Sequence, residues 1–228
     1  MSIPASLGAQ FVSVWDGGTE IETACIIDMA SGVVTPEVAK DGIEDTVTTL
    51  DSQHVMIGSF SVNVVEDDEQ NLVANVDELI VIAQFAAAMD ELPSFVDLES
   101  FIKHSSKPTA NTRITYQYRD ASNWKDTNEV IFKGVITPEQ IKMIEQSFLP
   151  DFEPSDFLPR QVGLRPLCPW TDSDNYDDDL DHMIHTLEFI TIVDSPATDD
   201  QPVVDLANKF TAAIADGWDM VKYGNEHI

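Results

Sequence analysis

The sequence predicts an α+β fold: a β-rich N-terminal region, a helical bridge, a β-hairpin–helix–strand unit and a C-terminal helix. Three observations carry this reading. Ile114, Tyr116 and Tyr118 alternate with Arg113, Thr115, Gln117 and Arg119, the period-2 pattern of a half-buried strand. Val76, Leu79, Ile80, Ala83 and Ala87 recur at the spacing of one apolar helix face. Thr137-Pro138-Glu139-Gln140 spells a helix start, with Thr137 as N-cap, Pro138 at the first helical position and Gln140 closing a capping box.

From the N-terminus, Phe11 to Trp15 is a short strand and Asp16-Gly17-Gly18 a turn signal. Glu20 to Ile27 and Val33-Val34 form a further hairpin across Ala30-Ser31-Gly32. Val47 to Ile57 and Phe60 to Val65 are two more strands around Gly58, and Glu66 to Asn71 is an acidic turn. Residues 76–105 are helical and interrupted at Leu92-Pro93. Ser94 is the expected N-cap of a second helix carrying Phe95, Leu98, Phe101 and Ile102. Lys107 to Thr112 is the expected linker, dividing the chain into domains 1–107 and 108–228. In the second domain, Arg113 to Gly134 is a hairpin, and the helix of Ile141, Ile144 and Phe148 follows. Pro150, Pro154, Pro159, Pro166 and Pro169 then forbid long regular structure. Leu187 to Val193 is a buried strand. The terminal helix spans 199–223, with Leu206, Phe210, Ala213, Ile214, Gly217 and Val221 on one face.

Charge sets the function classes. The 228 residues carry 41 acidic and 12 basic side chains, a formal net charge of −29. Such a surface repels nucleic acid and anionic membranes and attracts basic proteins and cations. The charge is uneven. Residues 1–74 carry 13 acids and one base, residues 151–228 carry 17 and four, and residues 108–150 carry five of each. Uniform salt adaptation would not spare one unit so cleanly.

Cys25 and Cys168 form no framework and are expected as free, buried thiols. No basic leader and no run of about 18 apolar residues exists, so the expectation is a soluble, cytoplasmic protein.

Catalytic chemistry is thinly represented. The segment 171–182, TDSDNYDDDLDH, is the densest acidic run. It fails the calcium-loop pattern, because Asp177 stands where Gly is needed and Met183 where a bidentate Glu belongs. His182 and His185, with Asp181, have a helix-face spacing but run into a strand, where positions three apart face opposite ways. Cys168 has no cationic helix start beside it. No nucleophile elbow, phosphate loop or dinucleotide fingerprint is present. Tyr116, Tyr118 and Trp124 beside Arg113, Arg119 and Lys125 resemble a base-stacking platform. The net charge argues against that use and favours strand packing, with the cations paired to the acidic flanks. No catalytic residue, metal or cofactor is expected.

Two stretches carry a resemblance. FVSVWDGGTEIETAC, residues 11–25, resembles the opening of small acidic proteins of bacterial plasmids, phages and integrative elements. YRDASNWK (118–125), FLPRQVGL (157–164) and DSPATD (194–199) resemble, in the same order, a small bacterial domain of unknown activity. Together they cover about half of the chain. The chain departs from the second pattern at 165–182, its Asp-rich insertion. The resemblance implies a mobile-element setting and carries over no catalytic residue.

The expected function is that of an acidic binding protein occupying a basic nucleic-acid-binding groove of a partner. It would act as a DNA mimic against a defence nuclease such as a restriction or CRISPR system, with no direct contact to nucleic acid or membrane. The expected partner-binding residues are Asp172, Asp174, Asp177, Asp178, Asp179 and Asp181, with Glu66, Asp67, Asp68 and Glu69. The alternatives are a metal-dependent enzyme using residues 172–185 and an acidic adaptor or salt-adapted protein without mimicry.

Overall fold

The computed structural model describes residues 4–15, 19–37, 50–168 and 182–219. The chain forms two units, Met1–Leu92 and Pro93–Ile228.

The first unit is a closed barrel. Its strands are β1 (Ser6–Trp15), β2 (Thr19–Asp28), β3 (Val33–Pro36), β4 (Leu50–Ile57), β5 (Phe60–Glu66) and β6 (Leu72–Ala74). They run in the order β1-β2-β3-β6-β5-β4 and close back onto β1, every pairing antiparallel. Alternation decides which side chains fill it. In β5, Phe60, Val62 and Val64 point inward and Ser61, Asn63 and Val65 outward. Cys25 and Ile27 of β2 and Val55 and Ile57 of β4 complete the interior. Closure gives every strand of the ring a neighbour on both sides.

The turn from β2 to β3 requires a glycine. Gly32 has φ +76°, and a Cβ there would lie 2.2 Å from the Ala74 carbonyl oxygen. Its own carbonyl accepts the Ala74 N–H at 2.9 Å. The turn is therefore packed against the end of β6.

Helix α1 (Val76–Ala88) follows, with Asn75 as N-cap accepting the Glu78 N–H at 3.1 Å. Its buried face is Leu79, Val81, Ile82 and Phe85, and the Phe85 ring packs 6.4 Å from Phe60. This corrects the expected face, since Ala87 is exposed and Ile80 and Ala83 are only half-buried. The helix is apolar on nearly every side, so spacing alone does not choose. Leu79, Ile82 and Phe85 take the interior over Ala83 and Ala87 because they remove more apolar surface from water; size does not account for Val81 over Ile80.

The second unit is a four-stranded antiparallel sheet in the order β8-β7-β10-β9. Its strands are β7 (Asn111–Arg119), β8 (Lys125–Phe132), β9 (Asp156–Phe157) and β10 (His185–Val193). Thr112, Ile114, Tyr116 and Tyr118 of β7 all face the core. Helix α3 (Pro138–Glu145) carries the expected capping box of Thr137 and Gln140 and buries Ile141 and Ile144. Helix α4 (Val203–Asp216) packs against α3 and buries Leu206, Phe210 and Ala213.

Several expectations change here. The second helix, α2, spans Leu98–His104, and its N-cap is Asp97 rather than Ser94. Phe95 to Asp97 cannot be helical because their backbone pairs with β10. The Ile190 N–H donates to the Phe95 carbonyl at 2.7 Å and the Asp97 N–H to the Ile190 carbonyl at 3.1 Å. Ser100 Oγ then accepts the Ile192 N–H at 2.9 Å, so this segment covers the edge that two-residue β9 leaves open.

Asn111 and Thr112 are not linker but the start of β7, and the division between units falls after Leu92. Helix α4 ends at Asp216, where Gly217 adopts φ 78° and closes the C-terminus; Val221 lies outside the described residues. In β10, a register shift between Leu187 and Phe189 turns Phe189 outward, 51% exposed, within an otherwise buried strand. Residues 47–49 and the turn Asp16-Gly17-Gly18 lie outside the described residues.

Three substitutions test these positions. Gly32→Ala should destabilise the barrel by about 2 kcal/mol or more in urea unfolding. Gly8→Ala, with nothing within 4 Å of its added methyl, should stay within about 0.5 kcal/mol of the parent. In the sheet unit, Thr112 Oγ1 donates to the Gly134 carbonyl at 2.8 Å and accepts the Ile136 N–H at 2.9 Å. Thr112→Val keeps the shape and strands that buried N–H, which should cost about 1–3 kcal/mol.

Candidate acidic binding surface

The barrel's outer wall follows from strand alternation. TEIETACIID puts Cys25 and Ile27 inside and Glu20, Glu22 and Asp28 outside on β2. Same-face positions in a strand repeat at roughly 6.8 Å, two residue rises. On β2, Glu20 and Glu22 occupy successive positions of this face, and Ala24 and Ile26 follow before Asp28. Glu22 also accepts a hydrogen bond from the Gln10 side-chain amide of β1. Signal for this face was present in the alternation, and the sequence reading missed it by weighing dense acidic runs instead.

Two aspartates have a structural role in the turns. Asp28 Oδ1 accepts the N–H groups of Ala30 at 2.8 Å and Ser31 at 3.1 Å, which hold its carboxyl below the usual carboxylate range. Asp67 Oδ1 accepts the N–H groups of Asn71 at 2.8 Å and Glu69 at 2.9 Å, with the same consequence. Of the four candidates in the β5–β6 turn, Glu66, Asp68 and Glu69 therefore point outward as exposed carboxylates, while Asp67 holds the turn in shape. At the start of α1, burial pushes the Glu78 carboxyl up.

Counterions are scarce in this unit. Residues 1–92 hold 17 acidic side chains and one basic residue, Lys40, which lies outside the described residues. The three ion pairs seen among the described residues all belong to the second unit: Lys107–Asp194, Arg113–Glu129 and Lys133–Asp200. Arg113 pairs within the hairpin rather than with an acidic flank, while Lys107 and Lys133 do reach the acidic C-terminal region.

Asp172, Asp174, Asp177, Asp178, Asp179 and Asp181 lie outside the described residues. The histidines beside them are placed. His185 is buried, and both ring nitrogens are engaged. Nε2 accepts the Leu167 N–H at 2.9 Å, which fixes the proton on Nδ1, 3.0 Å from the Met183 carbonyl that accepts it. Neither nitrogen has a lone pair left for a metal. His182 is half-buried, its Nδ1 accepting the Ile184 N–H at 3.2 Å and its ring edge-on to Tyr118 at 5.3 Å. Among the described residues no group of three His, Cys, Asp or Glu side chains is placed to hold a metal ion.

Tyr116 and Tyr118 are fully buried, so no base can stack on them. The Tyr116 hydroxyl donates to the Arg165 carbonyl at 2.8 Å and accepts from Asn128 at 2.9 Å. Trp124, 45% exposed, packs its edge on Tyr118. Neither Cys25 nor Cys168 is in a disulfide; both are buried, one in each unit, and burial pushes the Cys25 thiol up, away from the reactive thiolate. Asp156 is buried beside Thr186, whose hydroxyl donates to it at 2.6 Å, and burial pushes its carboxyl up. The barrel's outer wall thus presents the exposed carboxylates of Glu20, Glu22, Glu66, Asp68 and Glu69. No helix among the described residues is long and apolar enough to cross a membrane.

No family model matches the chain, and neither a curated protein nor a solved structure matches it.

His185 gives this unit a pH signature. Burial lowers its pKa from 6.5 to about 4. Above pH 6.5 the ring is neutral in both folded and unfolded chains, and its contribution to stability is fully present. As pH falls from 6.5 to about 4 only the unfolded chain takes up the proton, and about 3 kcal/mol of stability is lost. Burial raises the Asp156 pKa, so that group acts in the opposite sense, adding stability as pH falls through its raised pKa. Urea unfolding of the parent and of His185→Gln between pH 7 and pH 4 should show a shallower fall in the variant; parallel curves would remove His185 as the source.

Proposed function

We propose that the protein binds a basic nucleic-acid-binding protein by occupying its groove with carboxylates in place of phosphates. The carrying observation is the barrel unit, where 17 acidic residues stand against a single lysine on a closed scaffold. A rigid wall of like charge, with turns shaped by Asp28 and Asp67, keeps carboxylates at fixed spacing and offers few cations to oppose a partner's. The resemblance to acidic proteins of mobile elements favours a defence nuclease, of restriction or CRISPR type, as the target. Salt adaptation fits the charge less well, because residues 108–150 remain neutral. A metal-dependent enzyme built on residues 172–185 finds no support in the engaged nitrogens of His185.

The test is competition. The protein should displace duplex DNA from a basic restriction or CRISPR nuclease, less effectively as salt rises. Each exposed charge pair is worth on the order of 0.2–1 kcal/mol, so single changes should matter little. Changing Glu20, Glu22, Glu66 and Glu69 to Gln and Asp68 to Asn should weaken displacement by about tenfold or more. Asp28 and Asp67 stay, because their turns need them. A second variant converts Asp172, Asp174, Asp177, Asp178, Asp179 and Asp181 to Asn. Both variants should fold at least as well as the parent, since repulsion is relieved. Undiminished competition by both would refute the reading.

A further inference from the structure

The second unit holds an open cleft of about 280 Å³ whose lining includes Pro93, Phe95, Phe148, Phe152, Glu145 and Glu153. Its floor is apolar and packed. The rings of Phe95 and Phe148 meet edge-to-face at 5.6 Å, and Phe148 meets Phe210 in the same way at 5.8 Å.

Phe152 differs from these neighbours, being 48% exposed. It stands in the loop from Leu149 to Asp156, closed at its base by the Leu149 N–H donating to the Asp156 carbonyl at 2.8 Å. Asp151 and Ser155 take left-handed backbone angles, φ 68° and 74°, and Pro150 and Pro154 stiffen the segment between. The loop is thus shaped to present the ring to solvent rather than to bury it.

The charges around the cleft have one sign. Glu145 and Glu153 are exposed, and no Lys or Arg is among the described lining residues. The ligand that suits an aromatic face beside two carboxylates is a planar cation. Guanidinium stacks on aromatic rings, is weakly hydrated, and pairs bidentately with carboxylate. A second copy of this chain is a poor occupant, because both molecules carry a net charge of −29.

We infer that this cleft receives an arginine side chain of the partner, with its guanidinium against the Phe152 ring and paired with Glu145 and Glu153. The inference deepens the proposed function and rests on it for the partner's identity. Binding of the side chain itself is measured without the partner.

The experiment titrates the full chain at low salt with N-acetyl-arginine amide, its neutral isostere N-acetyl-citrulline amide, and N-acetyl-lysine amide, read by NMR shifts. Arginine should give saturable shifts at Phe95, Phe148 and Phe152, bind about twofold or more tightly than lysine, and leave citrulline without a matching response. Phe152→Leu, which keeps an apolar side chain but loses the ring, should weaken arginine binding roughly two- to fivefold. Glu145→Gln with Glu153→Gln should weaken it further, with unchanged melting temperature. Citrulline binding as tightly as arginine, lysine binding as tightly, or arginine shifts confined to the barrel would each overturn the inference. Arginine bound in the cleft by a protein that fails to displace DNA would uphold it while refuting mimicry. Displacement of DNA with no arginine response at the cleft would do the reverse.

Discussion

Self-repulsion is the constraint under which the barrel unit is built. With 17 acids and one lysine in residues 1–92, its surface charges contribute little attraction to hold the chain together. Cohesion must come from the inside. Ile27, Val55 and Val62 are completely enclosed, with Phe11, Phe60 and Phe85 around them. Ring closure between β1 and β4 lets a short unit enclose that interior with a neighbour on each side of every strand. The tight elements, Gly32 against Ala74 and the aspartate-closed turns, stiffen the same scaffold that the charges strain.

The second unit solves a different problem with polar groups inside. Asn111 and Thr112 bind the backbone of Gly134 and Ile136, Ser100 satisfies Ile192, and His185 bridges Leu167 to Met183. Thr112, Ser100 and His185 each meet a backbone group of Ile136, Ile192, Leu167 or Met183 that would otherwise be buried without a partner. His185 in this way ties Leu167 and Met183 to the start of β10.

Local chemistry was legible in the sequence, and non-local pairing was not. The hairpin, the capping box at Thr137 and the turn around Gly58 each depend on neighbours within a few residues. Barrel closure depends on β1 finding β4 across two intervening strands, and no local pattern announces it. Ser94 and Asp97 are both sound caps, and only the pairing of Phe95 with Ile190 selects the second. The candidate site was half legible. Glu66, Asp68 and Glu69 stand out as a run, whereas Glu20, Glu22 and Asp28 share a face only once strand period is applied. Density along a chain and density on a surface are different quantities.

The buried cysteines have a consequence of their own. Cys25 sits in the wall of the barrel and Cys168 in the sheet unit, each enclosed and unoxidised. A thiol shielded by folding reacts with a labelling reagent only when its surroundings open, at a rate set by that opening. The chain thus carries two native stopwatches. Cys25 keeps time for the barrel and Cys168 for the sheet, so the order in which the two units unfold can be read without engineering a new cysteine into either.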